Sequence, residues 1–214
     1  MKYSRSSFSR FVPILLVIVI TIVAIAAVIA VGRSLLGGGG PTETVAPGEV
    51  DEGRAALLSS DISRAVQITV RGPIVADEKF RSYRINISPT QRVMATYEGY
   101  LENEIESIEL DNSVAAYEQF VYALDKRQMM DGRELPEEQN DLRGVCATKK
   151  VYEFETLVNG ETVKKLWTSD CDGARGSALA SKAEIVSMFL NQVPDGSKMA
   201  REAGLGHSES IFRL

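Results

Sequence analysis

Hydrophobic and polar positions follow three different rhythms along the chain. From Phe11 to Val31 there is no rhythm at all: FVPILLVIVITIVAIAAVIAV carries no charge, and Pro13 and Thr21 are its only interruptions. Twenty-one residues at ~1.5 Å each span about 30 Å as a helix, the thickness of a bilayer's hydrocarbon core. The length favours an uncleaved anchor over a signal peptide, whose apolar region runs ~7–15 residues. The reading is a transmembrane helix over 11–32.

From residue 61 onward the period shortens to two. Val66, Ile68 and Val70 alternate with polar neighbours, as do Tyr83, Ile85 and Ile87, then Val93, Ala95 and Tyr97. Arg71-Gly72-Pro73 and Ser88-Pro89-Thr90-Gln91 break these runs with turn chemistry. ESIEL, residues 106–110, offers a faint fourth strand. The period then lengthens. Val114, Tyr117, Phe120, Val121 and Leu124 share one helical face behind Asn112 as an expected N-cap, with Asp131-Gly132 as the stop.

Two further strands follow around Asn159-Gly160, the residue pair that a type I′ hairpin turn prefers. A two-residue loop sets Val158 against Glu161, Glu155 against Lys164 and Tyr152 against Trp167. One face then collects Tyr152, Phe154, Val158, Val163 and Trp167, with Lys165 out of place. The other face carries Glu153, Glu155, Thr162 and Lys164. Ser181-Lys182-Ala183-Glu184 reads as a capping box opening a last helix through Ile185, Met188, Phe189 and Val193, which Pro194 ends. The order β-β-β-α-β-β-α predicts an α+β fold: an antiparallel sheet of about five strands with two helices on one face.

Between anchor and domain lies GGGGPTETVAPGEVDEG, a composition that holds neither helix nor strand. The expected organisation is a cytoplasmic N-terminus (1–10), the membrane helix (11–32), a flexible tether (33–60), one α+β domain (61–198) and a C-terminal tail (199–214). Lys2, Arg5 and Arg10 precede the apolar run and only Arg33 closely follows it. The positive-inside bias therefore predicts a single-pass plasma-membrane protein with the domain outside the cytoplasm.

Charge narrows the partners. Removing Lys2, Arg5, Arg10 and Arg33 from 24 bases, and Glu43 and Glu49 from 29 acids, leaves residues 51–214 at 20 and 27, or −7. Nucleic acid and other polyanions want a basic surface, so they are not expected partners.

Cys146 and Cys171 are the only two cysteines. In the hairpin register Cys171 faces Thr148, diagonal to Cys146 on the buried face. A small slip or bulge would bring the pair within disulfide range, and an oxidising compartment favours the bond. A nucleophilic thiol would need a positioned base. The T-L-x-T-C motif of the sortases is absent, and the single histidine, His207, falls in the tail.

No spacing of Cys, His or carboxylates predicts a metal site, and no cofactor motif is present. The loop Gly72, Pro73, Ile74, Val75, Asp77 and Glu78 stands out instead, because Ile74 and Val75 are apolar residues in an otherwise polar connection. It is the candidate partner-contact loop, and the exposed face of the hairpin is a second candidate contact surface. The expectation is a non-catalytic binding or assembly module of the cell envelope, reached by the membrane and an envelope protein partner. An envelope hydrolase using dispersed Asp and Glu, or a small subunit of a secretion or pilus-type machine, is the alternative.

Overall fold

A computed structural model of the chain describes residues 51–206. The expected cytoplasmic N-terminus, membrane helix and most of the tether lie outside the described residues, as does the end of the tail from His207. Among the described residues no helix is long and apolar enough to cross a membrane.

The domain is α+β. Its elements are α1 (Glu52–Leu58), β1 (Arg64–Arg71), β2 (Arg81–Ile87), β3 (Gln91–Glu98), β4 (Asn103–Asp111), α2 (Val114–Lys126), α3 (Glu137–Asn140), β5 (Val151–Val158), β6 (Glu161–Ser169), α4 (Lys182–Leu190) and α5 (Gly196–Glu202). Six antiparallel strands form one sheet in the order β4-β3-β2-β1-β5-β6. The first four make a meander. The chain then crosses by way of α2, and β5 pairs along the free side of β1.

The three alternating runs become β1, β2 and β3. The apolar sets of β1 and β2 meet in register on the core face, but β3 presents Met94 there, and the expected set Val93, Ala95 and Tyr97 lies on the opposite face against Asn86, Arg84 and Ser82. Ile68 lies between Ile85 on β2 and Phe154 on β5, and Met94 on β3 faces Ile85. This sheet face is buried under Leu57, Tyr117, Phe120, Val121, Leu124, Ile185 and Phe189 from the helices. Phe120 and Phe189 meet edge to face at 5.1 Å between ring centroids, joining α2 to α4.

Several expectations need correction. The sheet has six strands rather than about five, because ESIEL belongs to a nine-residue edge strand. Only Ile108 and Leu110 of β4 pack against the core, and a bulge between Thr96 and Tyr97 of β3 interrupts the pairing, so its alternation is faint in sequence. Ser113, not Asn112, caps α2, its hydroxyl accepting from the Ala116 N–H at 3.2 Å. Asn112 instead donates its side-chain amide to the Ser88 carbonyl at 2.6 Å. The capping box does not form: the Ser181 side chain makes no cap bond, and Glu184 pairs with Arg127 at 3.2 Å.

The domain is also longer than 61–198. The last ten residues assigned to the tether contain α1, whose Leu57 is fully buried. Asp51 caps this helix, accepting from Gly53 N–H at 3.0 Å and from the Lys164 ammonium of β6 at 2.7 Å. Arg54 clamps it to Asp125 of α2 through bonds of 2.7 and 3.0 Å. At the other end, α5 and its exit insert Met199, Ala200 and Leu205 into the core, so residues 199–206 are not a loose tail. These anchors lie in short apolar runs, Ala55–Leu58 and Met199-Ala200, or alone at Leu205, too brief to show a period.

Leu57→Ala is expected to destabilise the domain by about 2–5 kcal/mol in urea unfolding, the usual cost of emptying a buried leucine site. A cost below half a kcal/mol would show that α1 is an appendage.

Candidate functional site

The hairpin turns as expected. Asn159 and Gly160 both have positive φ, 53° and 82°, and Val158 pairs with Glu161 and Leu157 with Thr162. The ladder then shifts between Thr156 and Leu157, leaving Val163 as an extra residue in β6. Beyond it Glu155 faces Lys165, Glu153 faces Trp167, and Tyr152 faces Thr168. The expected Glu155–Lys164 and Tyr152–Trp167 pairs are therefore overturned. A one-residue shift exchanges the two faces of a strand.

The consequence is a second, smaller core on the face away from the helices. Trp167 leaves the Tyr152 face and packs with Val151 and Cys146, and Leu135, Leu142, Val145, Cys171 and Ala174 surround them. Lys164 turns to the helix side to hold Asp51, while Lys165 joins Glu153 on the open face. The misplaced lysine of the straight register was the sequence's one trace of the bulge.

Cys146 and Cys171 form a disulfide, with Cα atoms 5.4 Å apart and 25 residues between them in sequence. The bond is as expected, but its setting differs. Cys146 lies in a turn at φ 54° rather than in a strand extending β5, and it belongs to the open-face core. The bridge fixes the 133–150 connection back over β6. The Trp167 indole helps by donating to the Asn140 side-chain oxygen at 3.3 Å.

This connection is one wall of a groove of about 620 Å³. Leu142, Val145 and Val151 line that side, and Ile74, Phe80 and Tyr100 line the other. The groove thus includes Gly72 and Ile74 of the candidate contact loop, but not Pro73, Val75, Asp77 or Glu78.

Local bonds explain how the loop is held. Gly72 N–H donates to the Arg81 carbonyl at 2.9 Å, and a Cβ on Gly72 would sit 3.0 Å from that oxygen. Tyr100 hydroxyl accepts from Val75 N–H at 3.1 Å and donates to Val75 carbonyl at 2.8 Å. Its ring stacks on Phe80 with centroids 4.2 Å apart. Asp77 accepts from Tyr100 N–H at 2.8 Å, so its carboxylate steadies the β3–β4 turn. Ile74 N–H donates to the Ala147 carbonyl at 2.8 Å, stitching the two walls together. Ile74, Val75, Tyr100 and Leu101 nonetheless remain exposed, Leu101 at 87%.

The floor is charged. Glu153, 4% exposed, accepts from Arg71 Nε at 2.6 Å and lies 3.5 Å from the Lys165 ammonium. Arg71 also lies 3.8 Å from Glu102, which Arg84 binds at 2.9 Å. At the rim Arg143 forks onto Asp141, whose pKa those hydrogen bonds lower to about 2. The exposed hairpin face, the second candidate surface, contributes Glu153 to the groove; Lys165, expected on the buried face, joins it, and Arg71, Tyr100, Leu142 and Val145 were not anticipated. These six come from five separate strands and loops and meet only after pairing.

A second polar cluster lies across β6. Asp170 accepts from Tyr152 hydroxyl at 3.0 Å and pairs with Lys182 at 2.7 Å. Partial burial pushes the Asp170 carboxyl up, but the Lys182 and Tyr152 hydrogen bonds outweigh it and hold the carboxyl below its ordinary value. Nearby Lys150 is pulled down by burial and donates to the Leu205 and Gly206 carbonyls. These bonds tie the start of α4 and the exit of α5 to the hairpin. Among the described residues no group of three His, Cys, Asp or Glu could hold a metal ion. No protein-family model and no curated protein sequence matches the chain.

Two outcomes are expected from these contacts. Replacing both cysteines by serine should cost about 3–4 kcal/mol, the entropy of a loop this size, and red-shift Trp167 emission as its cover loosens; an unchanged spectrum and stability would contradict the bracing role. Asp170→Asn should lower Tm near neutral pH. Because the folded-state pKa is depressed, this contribution is present above the unfolded value of ~3.9 and fades as the pH falls through the lower folded one. The Tm difference should close in acid, and a difference constant from neutral to strongly acidic pH would contradict it.

Proposed function

We propose that the chain is a non-catalytic binding module of the cell envelope, held at the plasma membrane by its apolar segment 11–32 with the domain outside the cytoplasm. The observation that carries the binding reading is the groove itself: two apolar walls stitched together over a charged floor, beside an exposed rim of Ile74, Val75, Tyr100 and Leu101. Exposed apolar residues gathered beside a concavity mark contact sites more often than scattered ones do. An envelope component is the expected partner, and the −7 charge of residues 51–214 disfavours nucleic acid.

The groove's own carboxylates favour binding over hydrolysis. A general acid must hold a proton at working pH. Asp141 is kept ionised by Arg143, and Glu153 is occupied by Arg71 and Lys165.

A photo-reactive amino acid at Ile74 of the full chain, irradiated in intact cells, is expected to yield a discrete adduct. The same probe at Tyr122 on α2, 53% exposed against 46% for Ile74, should not. Equal labelling at both positions, or none at Ile74, would count against the groove as the contact site.

A further inference from the structure

The floor of the groove is not electrically balanced. Among the charged side chains that line the groove, Arg71, Lys165 and Arg143 stand against Glu153 and Asp141, one positive charge in excess, while Glu155, opposite Lys165 on β5, lies outside the lining. Glu153 engages Arg71 through Nε, and the guanidinium's outer N–H groups make no hydrogen bond among the described residues, Nη2 lying 3.8 Å from Glu102. The Lys165 ammonium makes no hydrogen bond among the described residues; its only close approach to an acid there is the 3.5 Å contact with Glu153. Both side chains are 40% exposed, so neither donor set is sealed off.

The walls above these cations offer little hydrogen bonding. Gly72 and Ile74 N–H are spent on Arg81 and Ala147, and Val145 N–H on the Leu142 carbonyl. Val151 is paired on both sides, to Arg71 and to Ser169. A peptide laid in the groove would bring amides that need partners, and burying them unpaired costs about 1–3 kcal/mol each. A ligand with one charged end and an apolar remainder meets no such penalty. The volume of about 620 Å³ lies within the ~300–1,000 Å³ usual for small-molecule sites.

Building on the binding reading above, we infer that the groove takes an anionic amphiphile. A carboxylate or phosphate head sits between Lys165 and Arg71, and the apolar body lies between Ile74, Phe80 and Tyr100 on one side and Leu142 and Val145 on the other. Glu153 acts as the positioning residue, holding both cations at the floor.

The chain carries its own reporter. Trp167, its one tryptophan, packs beneath Leu142 and Val145 and bonds Asn140 at the groove rim. The full chain in phosphatidylcholine nanodiscs would be titrated with decanoate, decyl phosphate, decanol and decyltrimethylammonium, with empty nanodiscs as the partitioning blank. Saturable change in Trp167 emission is expected for one or both anions, and which of them responds identifies the head group. Decanol and decyltrimethylammonium should bind about tenfold more weakly or less, matching one charge-assisted hydrogen bond. Lys165→Gln should cost the anions a similar factor, and Lys165→Arg should restore it. Lys165 is at the surface, so these variants leave the core intact.

Equal affinity for decanol, no saturable response to either anion, or an unaltered response in Lys165→Gln would overturn the inference. A protein adduct at Ile74 without any anion response would remove the inference and leave the binding reading standing. Absence of both would remove the two together.

Discussion

The extra residue at Val163 is the constraint on which the second half of the domain depends. A strand presents alternate side chains to its two faces, so one inserted residue reverses the assignment of everything beyond it. Before the bulge, β6 follows the simple two-residue turn. After it, Trp167 leaves the helix-covered face and Lys164 and Lys165 exchange sides. Leu166 takes the vacated place against Phe154, and the main core stays closed.

Much of the rest of the open face is polar, although Val93, Ala95 and Tyr97 of β3 lie on it. Gln67 bonds Glu155 and accepts from Asn86, and the arginines of β1 and β2 pair with Glu153 and Glu102. Only at the Trp167 end is there enough apolar surface to attract a covering segment. That cover is the 133–150 connection, and the disulfide makes it permanent. The groove follows from the contrast between the two halves of this face. It lies at the boundary where the braced loop stops and the ion-paired floor begins, with the Tyr100-pinned loop as its second wall.

Stability and recognition thus share residues without being the same thing. Trp167 and the disulfide raise the wall, while Leu142 and Val145 present it. Glu153 is nearly inaccessible, and a buried carboxylate is tolerated only when its charge is answered. Arg71 and Lys165 answer it, and in doing so they are held at the groove floor. The Asp170–Lys182–Tyr152 cluster has the opposite character, since its donors and acceptors are spent on one another and on joining α4 to the hairpin.

Much of the fold was legible in the linear pattern. The alternation in β1 and β2, the α2 face and the Asn159-Gly160 turn are local properties, because pleat, helical pitch and positive φ are each set by residues within a few positions. β3 was legible as a strand, but its inner face was not, because Met94 rather than Val93, Ala95 and Tyr97 meets the core. The pairing of Cys146 with Cys171 was legible too, since hairpin ends bring such cysteines near. Local pattern could not show the bulge, because Val163 and Leu166 compete for the inner face and only packing against Phe154 selects Leu166. Nor could it show α1 and α5 as core elements, since Leu57, Met199 and Leu205 lie in apolar runs too short to show a period, and their burial depends on distant partners. The groove was half visible: Ile74 announced itself as apolar in a polar loop, whereas Arg71, Glu153, Lys165, Tyr100 and Leu142 are unremarkable until pairing gathers them. The sequence by itself determined the elements, the turn and the cross-link. The tertiary structure alone decided which face each β6 side chain occupies, because that choice balances one strand's register against the packing of all its neighbours.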